Sequence, residues 1–157
     1  MLIAAVLLLQ ATVATPPPGE EPIAPYMQAD ANAGAKPFAN DQLWQAFHGS
    51  AGVSRIVNDL VARNQKDPRI SDIFRNQDMV RLRRTLKEQF CYILGGGCTY
   101  TGRDMKTAHK DMGIQQADMV ALVENLQAAM RAEHVVFAAQ NRFLAKLAPM
   151  HRDVVER

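Results

Sequence analysis

An excess of charge of one sign is missing from this chain of 157 residues: 18 Lys and Arg stand against 16 Asp and Glu, a formal net charge of +2. A nucleic-acid surface requires a clustered basic face, so nucleic acid is excluded as a partner. Cysteine is almost absent, with Cys91 and Cys98 alone. Two are too few for a disulfide-built scaffold, and without CxxC spacing they do not read as a zinc site. In an exported chain they could form a local disulfide; in a cytosolic one both stay reduced. Long hydrophobic runs are absent except for Leu2 to Leu9. That run falls far short of the roughly 20 apolar residues a membrane-spanning helix needs, so no stable membrane span is expected.

The same run, followed by Gln10 and the small residues Ala11 to Ala14, has the outline of a signal peptide over residues 1–14, with Thr12 and Ala14 as the small-x-small cleavage site. The n-region carries no Lys or Arg. Export to a periplasm or the medium follows if the segment is a true signal, and a cytoplasmic location if it is not. Thr15 to Asn40 then holds six of the eight prolines and no sustained helical period, which predicts a Pro-rich disordered linker over 15–40. Residues 41–157 remain for one folded domain. With 48% hydrophobic and 22% charged residues in the whole chain, that domain has enough apolar material for a core.

Helical periodicity runs through this domain. Val53, Ile56, Val57, Leu60 and Val61 form one stripe on a helix that must stop before Pro68. Asp78 can cap a second long helix carrying Met79, Leu82, Leu86, Phe90 and Ile93, which Gly95-Gly96-Gly97 ends. A short piece from about Met105 to Met112 stops at Gly113. A third long helix spans roughly Gln115 to Ala132, with Met119, Leu122, Val123, Leu126 and Met130 in register. A fourth runs from about Val136 to Leu147, with Phe137, Leu144 and Leu147 in its stripe and Pro149 at its end. No alternating strand pattern occurs, so the expected class is all-α.

Four stretches taken together carry a resemblance. They are Asp78-Met79-Val80-Arg81-Leu82, Leu94-Gly95-Gly96-Gly97, Tyr100-Thr101-Gly102-Arg103-Asp104-Met105-Lys106, and Ala108-His109-Lys110-Asp111-Met112-Gly113-Ile114. In residues and spacing the chain resembles the group I truncated haemoglobins, from about Val53 to Pro149. The resemblance implies a truncated globin fold, a two-over-two helical sandwich around a haem b (iron protoporphyrin IX), whose iron His109 holds from the proximal side. A neutral imidazole suits that role, and a single protein ligand leaves the other face of the iron open to a diatomic gas. No CxxCH occurs, so covalent c-type attachment is not expected. By position Phe74 packs on the haem ring, and Met79, Leu82 and Met105 touch the cofactor; each also reads as ordinary core. Arg81, Arg84, Lys87 and Tyr100 are candidates for the propionates. His48, His134 and His151 have no motif around them and read as surface.

On the distal side the sequence departs from the family. Many members place a tyrosine on the first long helix and a glutamine on the next; here those positions are Val61 and Leu86, with Leu82 as a third apolar wall. Gln89, three residues after Leu86, is the best compensating donor, and Tyr92 a poorer one. Phe90 coincides with a family phenylalanine associated with an apolar ligand tunnel. A hydrogen bond to a charged acceptor is worth about 1.5 to 3 kcal/mol, so a pocket without a donor should hold oxygen weakly and oxidise easily, with carbon monoxide and nitric oxide less affected.

The leading expectation is therefore a globin that binds oxygen, nitric oxide or carbon monoxide at a five-coordinate iron, with an electron donor of unknown identity. Oxygen transport falls within it. A haem enzyme performing nitric oxide dioxygenation or peroxide-dependent redox chemistry is the alternative. A third reading is a helical module that has kept the fold and lost the cofactor, against which His109 and Phe74 stand.

Overall fold

A computed structural model describes residues 15–156. The expected signal peptide over 1–14 lies outside the described residues. Among the described residues eight α-helices follow one another: α1 (Gln42–Ala46), α2 (Gly49–Lys66), α3 (Ser71–Phe74), α4 (Met79–Ile93), α5 (Met105–His109), α6 (Gln116–Ala132), α7 (Phe137–Leu147) and α8 (His151–Val154). No strand occurs among the described residues. The long helices α2, α4 and α6 agree with the periodicity to within a few residues. The Asp78 carboxylate accepts the Arg81 backbone N–H and caps α4, and Asp104 does the same for α5 through Thr107. The start of α6 is closed by a capping box between Gln115 and Asp118.

Helix α2 packs against both α4 and α6, and α6 packs against α7, so two helix pairs form the body. The stripe read from the sequence is the buried face of α2: Val53, Ile56, Val57, Leu60 and Val61 are all core. Phe47, Phe90 and Phe143 clamp α1, α4 and α7 together by edge-to-face contacts, with ring centroids 5.1 Å and 4.9 Å apart. Helix α7 departs from expectation in one residue. Phe137 is 72% exposed, and the buried face is Ala139, Gln140 and Phe143. Phe137 is the first residue of that helix, and the approach of the chain from Val136 turns it outward.

The loop between α4 and α5 is tied at both ends. Cys91 and Cys98 form a disulfide with their Cα atoms 5.7 Å apart, anchoring the loop to the end of α4. Further on, the Tyr100 ring folds over its own loop, its hydroxyl donating to the Arg103 carbonyl at 3.0 Å. A Cβ at Gly102 would lie 2.2 Å from that hydroxyl oxygen, which explains the glycine of the Tyr-Thr-Gly run.

The linker expectation for 15–40 is corrected. The segment lies along the helical body and is fastened to it. Glu20, whose side chain is 1% exposed, sits between Arg81 and Arg84 of α4; Arg84 Nη2 donates to it at 2.9 Å and Arg81 Nε stands 3.2 Å away. Tyr26 donates to the Thr101 carbonyl at 2.7 Å, and the Asp30 carboxylate accepts the Tyr100 N–H at 2.8 Å. A single 3-10 turn, Asp30–Ala33, buries Ala33 completely. Proline content lowers helical propensity, but it does not prevent an extended chain from docking through side chains and charge pairs.

The Arg84 guanidinium holds the Glu20 carboxyl below its ordinary value, against the opposing effect of burial. A carboxyl depressed in the folded state adds stability above its unfolded pKa of about 4.3 and loses it as pH falls through the folded value. Glu20→Gln should therefore cost about 2 kcal/mol at pH 7. Urea unfolding as a function of pH should show that difference shrinking below pH of about 4; a constant difference at every pH would mean that the charge is not what fastens the segment.

Candidate functional site

Between α2, α4, α5 and α6 the helices leave a cavity of about 600 Å³. Its apolar walls come from each element in turn: Leu60 of α2, Phe74 of α3, Leu82, Leu86 and Phe90 of α4, Met105 of α5, and Met119, Leu122 and Leu126 of α6. The last three continue the stripe that the sequence read as core. They are in register with a space rather than with another helix, a distinction that periodicity does not make.

His109 ends α5 on the wall of this cavity. Its Nδ1 lies 2.7 Å from the Met105 carbonyl oxygen one helical turn earlier. A carbonyl only accepts, so Nδ1 carries the proton and Nε2 is left with its lone pair. Burial pushes the imidazole below its ordinary pKa and outweighs the Met105 bond, while the nearby positive Arg103 adds in the same direction. The ring is therefore neutral at pH 7, with one basic nitrogen uncommitted. Among the described residues no cluster of three or more His, Cys, Asp or Glu could hold a metal ion. A lone neutral imidazole of this kind has the chemistry of a single protein ligand to a metal whose remaining ligands come from a macrocycle.

Of the residues singled out from the sequence, Phe74, Arg81, Leu82, Leu86, Gln89, Phe90, Tyr100, Met105 and His109 all line this one cavity. Five do not. Val61 is fully buried in the α2 core, Met79 and Tyr92 pack partly buried against the core cluster, and Arg84 and Lys87 lie outside the cavity lining. Gln89 is also corrected as a compensating donor: its Nε2 donates to the Ala33 carbonyl at 2.8 Å and lies 3.3 Å from Met105 Sδ. The amide is turned toward the N-terminal segment and the helix that carries His109.

The cationic rim is likewise partly committed. Arg81 reaches Glu20, the Glu21 carbonyl and Asp78, while Arg84 is shared among Glu20, Glu88 and Thr101. Arg103, in contrast, lines the cavity with a guanidinium that has no hydrogen-bond partner among the described residues. Burial pushes the Tyr100 phenol up to about 12, with the Glu88 carboxylate adding to the effect, so its hydroxyl remains a neutral donor.

Three groups of lining residues escaped the sequence. Ile23 and Tyr26 come from the N-terminal segment and close one side of the cavity; nothing in their spacing marks them. Met112, Ile114, Met150 and Val154 come from short helices and turns with no period long enough to read. Asn64 did leave a signal, a polar residue standing in register with Leu60 and Val61 on an otherwise apolar stripe.

Comparison with known proteins gives one answer. The family model described as "Bacterial-like globin" matches residues 42–156. A group 1 truncated haemoglobin of Tetrahymena pyriformis is 29% identical over 113 residues, 72% of this chain and 93% of that protein. One from a Synechocystis species is 30% identical over 93 residues, 57% of this chain and 75% of that protein. Among solved structures, the Fe(III) form of the Tetrahymena pyriformis truncated haemoglobin superposes with a TM-score of 0.70 at 24% identity, covering 73% of this chain and 98% of that one. The 2/2 haemoglobin of a Synechococcus species, a cyanomet structure with covalently attached haem, gives 0.68 at 25% identity and the same coverage. A family match over residues 42–156, together with the group 1 relatives, shows that the chain belongs to the bacterial-like globin family, within its group 1 truncated haemoglobins.

Proposed function

We propose that the chain binds a non-covalent haem b in the cavity around His109 and takes up diatomic gases there. The observation that carries this reading is the His109 imidazole: neutral, fixed in one tautomer by the Met105 carbonyl, with Nε2 free at the wall of an apolar cavity. Bound there, haem would supply an iron able to take up oxygen, nitric oxide or carbon monoxide. His109 is the residue that would hold it. Phe74, Leu82 and Met105 offer the apolar contacts a macrocycle needs, and they exclude water from the space.

The propionates call for cations at the rim. Arg103 is the available one, because Glu20 already occupies Arg81 and Arg84. On the α4 wall Leu82 and Leu86 present no donor, and Val61 presents none on α2, which supports weak retention of oxygen relative to carbon monoxide. Gas capture with modest oxygen affinity fits this wall better than oxygen transport. Export is part of the proposal: the Leu2 to Leu9 run supports it, and so does the Cys91–Cys98 disulfide, a bond that persists in oxidising compartments.

Titration of the full chain with haem should give a stoichiometric absorption band and, after reduction, a five-coordinate spectrum; His109→Ala should lose that spectrum or change it. Saturable binding with an identical spectrum in the variant would overturn the assignment of His109. Replacing Arg103 by Met should speed haem transfer to an acceptor protein about tenfold, a charge-assisted hydrogen bond being worth about 1.5 to 3 kcal/mol. The Leu86→Gln variant, which places an amide on the cavity wall, should slow oxygen dissociation by about tenfold and leave carbon monoxide nearly unaffected. Equal oxygen rates in the two proteins would show that residue 86 does not face the ligand.

A further inference from the structure

Besides the His109 imidazole and the Arg103 guanidinium, the cavity wall holds a buried polar group that its surroundings leave uncommitted. Most of the polar side chains on its wall are engaged: Tyr26 donates to the Thr101 carbonyl, Thr85 to the Arg81 carbonyl at 2.9 Å, Gln89 to the Ala33 carbonyl and Tyr100 to the Arg103 carbonyl. Asn64 differs. It is 1% exposed, lies on α2 one turn after Leu60, and lines the cavity. Its Oδ1 accepts from Asn125 Nδ2 at 3.0 Å, whereas its own Nδ2 donates to no described residue. Every sealed side-chain nitrogen and oxygen among the described residues has a partner, so this Nδ2 is not sealed. The small accessibility that the residue retains therefore includes this nitrogen, on a residue that lines the cavity.

The orientation of that amide is not arbitrary. Asn125 Nδ2 also donates to Asp67 Oδ2 at 3.0 Å. Asp67 is paired with Arg69 at 2.8 Å, and the guanidinium holds its carboxyl well below the usual carboxylate range. An ionised carboxylate only accepts, so the Asn125 group facing it must be the NH2. Both hydrogens of that NH2 are then used, one on Asp67 and one on Asn64. The Asn64 atom facing Asn125 must therefore be its oxygen, and its NH2 must point away from Asn125, on a residue that lines the cavity. A chain of forced choices, from Arg69 through Asp67 and Asn125, turns a donor inward.

We infer that Asn64 supplies the hydrogen-bond donor that a polar diatomic ligand meets in this cavity, directly or through one bridging water, in place of the donors that Val61 and Leu86 do not provide. The inference rests on the haem reading above. It makes Asn64 a residue that tunes ligand preference, raising the retention of oxygen, on which negative charge collects, above what the donor-free Leu82 and Leu86 wall would give. It also gives the network outside the cavity a role in holding the amide in its donating orientation.

The test uses the full chain loaded with haem, as wild type, Asn64→Leu and Asn64→Asp. Leu matches the shape of Asn and removes the amide. Asp keeps an oxygen for Asn125 and replaces the inward donor by an acceptor, so it guards against a variant that fails to fold. The readouts are the carbon monoxide stretching band of the reduced protein, which moves to higher frequency when a nearby donor is lost, and the oxygen dissociation rate. Both variants should shift the band upward and release oxygen about tenfold faster at unchanged haem stoichiometry. A haem-loaded Asn64→Asp protein with the wild-type band and rate would overturn the inference while leaving the haem reading intact. Wild type that takes up no haem would instead overturn the haem reading and, with it, this one.

Discussion

The hydrogen bond from His109 Nδ1 to the Met105 carbonyl, 2.7 Å long, decides which nitrogen of the ring faces the cavity of about 600 Å³ between the helix pairs. An apolar cavity of this size is costly to leave empty, since its lining atoms lose the dispersion contacts a packed core would give them. The architecture keeps it open all the same. Short α3 and α5 stand where long helices would have closed the space, and the loop before α5 is anchored by the Cys91–Cys98 bridge and the Tyr100 hydroxyl. The rest of the molecule can be understood as support for one imidazole beside one space.

That support extends beyond the region the globin family shares. The family match begins at residue 42, yet residues before it close one side of the cavity and occupy the cationic edge of α4. Glu20 places a carboxylate between Arg81 and Arg84, where a propionate would otherwise find cations, and leaves Arg103 as the cavity-lining guanidinium without a hydrogen-bond partner among the described residues. Ala33 takes the Gln89 amide in the same way. Three side chains that the sequence offers to the cofactor, Arg81, Arg84 and Gln89, are thus engaged by the chain itself. The cavity receives its polarity from elsewhere, through Arg103 at the rim and Asn64 on α2.

Long-range order was legible in the sequence wherever burial repeats with the helical period. The stripes of α2, α4 and α6 are such cases, and so are the caps at Asp78 and Asp104, whose chemistry is local. The residues around Tyr100 and His109 were placed by the family resemblance and not by periodicity, and the structure brings nine of the residues singled out to one cavity. What could not be read depends on contacts between distant positions. The docking of 15–40 rests on pairs such as Glu20 with Arg84 and Tyr26 with Thr101, which no local pattern announces. Gln89 lies on the helical face expected for a donor, yet the Ala33 carbonyl 56 positions earlier claims its hydrogens. Phe137 shares a period with Leu144 but sits at the first turn of α7, where the chain has not yet reached the core.

The central claim is that His109 Nε2 is the protein's bond to the haem iron. Resonance Raman spectroscopy of the reduced, haem-loaded full chain, prepared with ordinary and with 15N-labelled histidine, addresses that bond directly. The account predicts a low-frequency iron–histidine band that shifts with the label and is absent from His109→Gly. A band that is insensitive to the label, or one that survives in that variant, would contradict it.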